Sequence, residues 1–319
     1  MANSALVAML RTAATTVLYD YERLLSLAGI ADGLPPVPTV VCLAEQSRYP
    51  FPAANTMPWQ LEGVARALQA ATHPTIGWQR AGVLLQSGAD QDLNGYQPVL
   101  RALGLPSTPV PEPMWGANAV LLPTLRTDTR STLGGALWCA AQIAASDRQP
   151  TTAQEIIEAF AMLRQRYANV CAVMDGTTAG NGPSPEVRNV LLASADPVAL
   201  DAVAARLLGF DPLRDVEAVR LAHERGLGVG DPRHIELVGD ADLANERWRF
   251  TVGQASFPAR VLHRVGGSCR ISEGSGLVAR LYQERYHWPV EQRWIFESWL
   301  RGSEWGRLFA RYQRLNLAA

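Results

Sequence analysis

The chain has 319 residues, 48% of them hydrophobic, which is enough to bury a core in one large α/β domain or in one domain with an appendage. All 29 basic residues are arginine, so chemistry that needs a lysine Schiff base, a lysine general base or a phosphate-loop lysine is excluded. The four cysteines (Cys42, Cys139, Cys171, Cys269) are too widely spaced for a Cys-x-x-Cys motif or a disulfide framework, which argues against an iron–sulfur cluster and for a reducing cytoplasm.

Taken in chain order, the N-terminal stretch ALVAMLRTAATTVLYDYERLL predicts an amphipathic helix with Leu6, Met9, Leu10, Ala13, Val17, Tyr21 and Leu24 on one face. Arg11 interrupts its apolar run, which argues against a secretion leader, and no other segment offers about eighteen uninterrupted apolar residues, so no membrane span is expected. Apolar runs at 37–43, 82–86, 118–122, 169–174, 189–194 and 235–238 predict strands, and helical patterns lie between most of them. Pro58 opens a helix reaching about residue 71, and Thr152 with Glu155 forms a capping-box pattern ahead of another. This alternation predicts an α/β fold, a mainly parallel central sheet with helices on both faces.

Residues 1–240 carry 17 arginines against 23 acids, whereas 241–319 carry 12 against 7 together with Trp288, Trp294, Trp299 and Trp305. The shift predicts a body over 1–240 and a mostly helical, aromatic and arginine-rich appendage over 241–319. Trp305, Phe309 and Tyr312 recur at helical spacing beside Arg307, Arg311 and Arg314. That stripe reads first as a helix packed on the body with a solvated arginine face. A protein-partner surface and an aromatic pocket for a flat ligand are the alternatives. The near-neutral net charge argues against a nucleic-acid partner.

The most specific region begins at VMDGTTAGNGPSPEV (173–187) and continues through LLASADPVALDAVAARLLGFDP. Asp196 before Pro197 is a helix N-cap pattern. Asp201 lies in a helix that is apolar on nearly every side, so its carboxylate must be paired, metal-bound or shifted in pKa, with Arg206 or a more distant arginine as candidate ion-pair partners. Gly176, Gly180 and Gly182, with Asn181, form a glycine-rich loop whose N–H groups could cradle an anion, or a turn within a hairpin. Twelve residues (176–187) without a helical pattern favour an antiparallel return, which makes Asp175 with Asn181 the better site pair and Asp196 the better cap. A divalent metal on Asp175, Asp196 or Asp201 needs the parallel arrangement. The five histidines show no zinc spacing.

The order DG-x-x-x-GNGP, LLAS-x-DPVA-x-D, A-x-x-LLGFDP, a Gly-Leu-Gly and a terminal IELVG resembles the C-terminal half of the proteins grouped as domain of unknown function family number 362, over about residues 170–240. A weaker match upstream sets Arg126 and Asp128 where that family has lysine and histidine, and Trp138 and Cys139 where it has Lys-Asn. The resemblance implies the fold and the location of a site. Iron–sulfur and redox contexts are suggested for some members, but the cysteines of that cluster are missing here. Two functions follow as expectations. The first is an enzyme acting on a small anionic or polar organic substrate, with Asp175 and Asp201 as acid/base groups or metal ligands and with Arg126 and Asp128, on a loop after the 118–122 strand, facing the substrate. The second is a non-catalytic ligand-binding or accessory protein on the same fold.

Overall fold

The computed structural model describes residues 4–44, 52–71, 76–81, 94–110, 114–128, 131–144, 150–180, 185–252 and 293–317. Among them nine strands form one sheet in the order β3-β2-β4-β7-β8-β1-β9. These are β1 (Ala5–Arg11), β2 (Thr39–Ala44), β3 (Ile76–Ala81), β4 (Asn118–Leu122), β7 (Asn169–Gly180), β8 (Glu186–Ser194) and β9 (Ile235–Gly239). Off this path, β5 (Thr124–Asp128) continues β4 beyond Pro123 and pairs with β7 and with the short β6 (Thr132–Leu133). In the ordered path β8 is antiparallel to both its neighbours and the remaining pairs are parallel. The α/β architecture is therefore the one its strand and helix alternation implies.

Two apolar layers cover the sheet. One holds α5 (Ala136–Ala144), α6 (Ala153–Arg166), α7 (Pro197–Leu208) and α8 (Glu217–Glu224). The other holds α1 (Val17–Leu27), a short α2 (Ile30–Gly33), α3 (Pro58–Ala70), α4 (Tyr96–Ala102) and the C-terminal α9 (Arg293–Gly302) and α10 (Glu304–Leu317). Strand β7 shows why both layers form: Ala172 and Met174 enter the first, Cys171 and Val173 the second, as the period of two requires.

Several expectations need correction. The N-terminal segment is not one helix, because Ala5–Arg11 is a strand between β8 and β9 and the helix starts only at Val17. Val7 to Leu10 are buried on both faces, and a short apolar run of that kind fits a buried strand as well as a helix until its pairing partners are known. Strand β3 falls on IGWQRA, the 82–86 run lies outside the described residues, and the 37–43 run enters its strand only at Thr39. Arg126 and Asp128 lie on β5 rather than in a loop. Gly176 and Gly180 belong to β7, which shortens the connection to residues 181–185.

Other expectations agree with the structure. The hairpin is antiparallel, Asp196 caps α7, and Pro58 starts α3. Half of the capping box forms: the Thr152 side chain accepts from the Glu155 N–H, while the Glu155 carboxylate turns to the N–H and hydroxyl of Thr151. No helix among the described residues is long and apolar enough to cross a membrane.

Candidate functional site

Asp175 points into the layer that holds α1 and α3, and it is 1% exposed. Its Oδ2 accepts from the Tyr21 hydroxyl and from the Trp59 indole N–H, both at 2.8 Å. Its Oδ1 accepts from the Thr177 N–H at 2.9 Å and the Thr177 hydroxyl at 2.6 Å. Four donors thus occupy the carboxylate, and they come from α1, α3 and β7 itself. Burial pushes its pKa up while these hydrogen bonds oppose the rise. The same carboxylate and the same burial push the Tyr21 phenol well above its ordinary value, which keeps it a donor.

The C-terminal helices close over this group. Trp305 packs on Trp59 with ring centroids 5.3 Å apart and donates to the Asn189 side chain at 2.7 Å. Asn189 can receive it because β8 bulges there. Gly176 pairs with Val190 but Thr178 with Val187, which leaves an extra residue on β8, and Asn189 takes a left-handed φ of 57°. Trp299 donates to Thr178 at 3.2 Å. The aromatic stripe is buried and Arg307, Arg311 and Arg314 are exposed, so the packed-helix reading of the tail describes it. Phe296, Trp299 and Phe309 line a small cleft together with Met57 and Asn94.

Asp201 occupies the opposite layer and is 2% exposed. Among the described residues no arginine pairs with it, whereas the ion-pair expectation named Arg206 or a more distant arginine. Its Oδ1 accepts from the Ala136 N–H at 2.7 Å and its Oδ2 from the Leu137 N–H at 2.9 Å. These are orphan donors of the first turn of α5, so a carboxylate distant in sequence caps that helix. Desolvation pushes the Asp201 pKa up to about 7 against these two bonds, and the charge of Asp196 adds to the rise. The neighbouring Cys139 thiol is pushed up to about 12 by burial and by Asp201.

Asp196 accepts from Val198 and Ala199 N–H at 2.9 and 3.2 Å and from Val229 N–H at 2.8 Å. Gly228 makes the last approach possible, since a Cβ there would stand 2.4 Å from Asp196 Oδ1. The Gly-Leu-Gly and Asp-Pro motifs therefore form one unit. In the hairpin Asp175 pairs with Leu191, five residues before Asp196, or about 17 Å along an extended strand. The three carboxylates face different donors and do not share a centre. Among the described residues no three His, Cys, Asp or Glu side chains converge as a metal would need.

The glycine-rich stretch does not form an open nest where the structure describes it. Gly176 lies in the ladder opposite Val190, where a Cβ would stand 2.7 Å from Val190 Cγ1 and 2.9 Å from its carbonyl oxygen. Gly180, at φ 114°, pairs with Arg126. Asn181 and Gly182 lie outside the described residues.

Arg126 and Asp128 stand at the carboxyl end of the parallel strands, where open α/β sheets bind ligands. The Arg126 side chain is 17% exposed, and its Nε donates one long hydrogen bond, 3.4 Å, to the Thr127 carbonyl. Asp128 is 3.9 Å from a terminal nitrogen, beyond hydrogen-bond length. Asp128 itself accepts from the Ser131 N–H and hydroxyl at 3.2 and 3.3 Å. Burial lowers the Arg126 pKa and Asp128 opposes that effect. Sequence reasoning found Arg126 but missed Tyr21, Trp59, Gly134 and Gly135. The Gly-Gly pair ahead of an apolar helix was the available signal for the last two. The chain matches no family model, no curated protein and no solved structure.

Proposed function

We propose that this chain is a non-catalytic binding or accessory protein for a small anionic organic molecule, held at the carboxyl edge of the parallel strands by Arg126. The observation that carries the reading is the unequal satisfaction of the charged groups. Asp175 and Asp201, the candidate acid/base groups, are buried and occupied by four and two donors of the fold itself. Arg126 is partly exposed and has five N–H donors, of which one makes a long bond within the described structure. A guanidinium in that state favours a planar carboxylate or a phosphate, which takes two parallel N–H bonds at once. Membership of the family that residues 170–240 resemble is part of the same proposal.

The enzyme reading keeps one supporting observation, the Asp201 carboxyl pushed up to about 7, within the range useful for proton transfer. Titration calorimetry with inorganic phosphate, acetate and citrate separates the readings. The binding reading expects saturable heat with at least one anion and an affinity at least tenfold weaker in Arg126→Gln, about 1.4 kcal/mol. Equal affinity in the wild type and Arg126→Gln would overturn it.

A further inference from the structure

We infer that Asp201 is a positioning residue for Arg126, acting through the Gly134–Gly135 pair that lies between them. The inference rests on the binding reading of Arg126 and adds the element that sets its geometry.

The two glycines are pressed from opposite sides. A Cβ on Gly134 would stand 2.9 Å from Arg126 Cγ, 3.0 Å from Cδ and 3.2 Å from Nε. A Cβ on Gly135 would stand 2.2 Å from Asp201 Oδ1 and 2.8 Å from its Cγ. The shortest of these distances are below ordinary carbon contacts, so a side chain at Gly134 would displace the Arg126 stem and one at Gly135 the Asp201 carboxylate. The Arg126 stem therefore lies on bare backbone at Gly134, and the Asp201 carboxylate lies on bare backbone one residue later.

Hydrogen bonds fix the same short segment at both ends. The Gly134 N–H donates to the Arg126 carbonyl at 3.1 Å, and the next two N–H groups after Gly135 donate to Asp201 at 2.7 and 2.9 Å. Asp201 itself is fixed by α7, whose start is capped by Asp196. Arg126 has little else to hold it, since its one bond within the described residues is long and Asp128 is 3.9 Å away. Packing of the stem on Gly134 is thus one of the few restraints on its guanidinium within the described residues. A displacement of Gly134–Gly135 moves the restraint and with it the angle at which Arg126 meets an anion. An under-supported binding group that is loose by about 1 Å loses much of its function.

The test reads the state of Arg126 directly. Phenylglyoxal modifies arginine, and peptide mass mapping gives the rate at Arg126 against Arg220 as an internal control, with and without inorganic phosphate. Asp201→Asn keeps the shape of the side chain and one acceptor, and Gly135→Ala pushes the carboxyl group away while leaving it chemically unchanged. In both variants, checked as folded by circular dichroism, the Arg126 rate relative to Arg220 is expected to change at least about threefold, and protection by phosphate to weaken by a similar factor. A purely structural Asp201 would lower the unfolding midpoint and leave that ratio at its wild-type value, which would overturn the inference. If phosphate fails to protect wild-type Arg126, the binding reading falls, while the variant to wild-type rate ratio still decides whether Asp201 controls Arg126.

Discussion

Asp175, on strand β7, and Asp201, on helix α7, are both buried carboxylates, but they lie in opposite layers and are satisfied by different kinds of donor. Asp175 gathers side chains, the Tyr21 hydroxyl and the Trp59 indole, from positions 154 and 116 residues away. Asp201 takes backbone N–H groups from the start of one helix. Side-chain donors can be deleted one at a time by substitution, whereas backbone donors can only be moved. The layer of α1 and α3 is therefore fastened by distributed residues, and the layer of α5 and α7 by a local glycine pair and the helix that follows it.

That contrast can be sharpened by substitution. Asp175→Ala leaves buried Tyr21, Trp59 and Thr177 donors without an acceptor, and chemical denaturation is expected to show a loss of about 4 kcal/mol. A loss below about 1 kcal/mol would mean that water or a shifted side chain replaces the carboxylate. Gly135→Ala forces a methyl group onto Asp201 and is expected to cost about 3 kcal/mol, although it removes no hydrogen-bonding group.

The pH dependence distinguishes the two layers further. The Asp201 carboxyl sits at about 7 in the folded chain against 3.8 as its ordinary value. Between those values the folded state binds a proton that the unfolded state has released, so stability falls as pH rises from about 4 to about 7 and levels above. One such proton contributes a slope of up to about 1.4 kcal/mol per pH unit. Denaturation of Asp201→Asn across that interval should lose this part of the slope, and an unchanged profile would assign the proton elsewhere. The smallest effect is expected from Tyr21→Phe, about 1 kcal/mol, because three donors remain on Asp175.

The elements legible in the sequence were those governed by near neighbours. Asp196 with Pro197 specifies a cap within three residues, Thr152 caps α6 in the same way, and a connection barely long enough for a crossover pointed to the antiparallel 169–194 return that the structure shows. The tail stripe of Trp305, Phe309 and Tyr312 was readable from its spacing. What escaped depended on distant pairing. Leu6, Met9 and Leu10 fit a helical face as well as a strand, and only β8 and β9 on either side decide between them. Asp201 advertised burial, but its partners carry no side-chain signature because they are the N–H groups of Ala136 and Leu137. Tyr21 and Trp59 look like ordinary apolar positions until Asp175 is placed beneath them. Arg126 was recognised as a charged group after a strand, but nothing local showed that the strand continues through it.

The proposed division of roles, with carboxylates holding the fold and Arg126 binding a small anion, is tested most directly by native mass spectrometry of purified wild-type chain beside Arg126→Gln and Asp201→Asn. The account predicts a retained small anionic mass on the wild type, absent from Arg126→Gln and reduced in Asp201→Asn. The same mass retained in full by Arg126→Gln would contradict it.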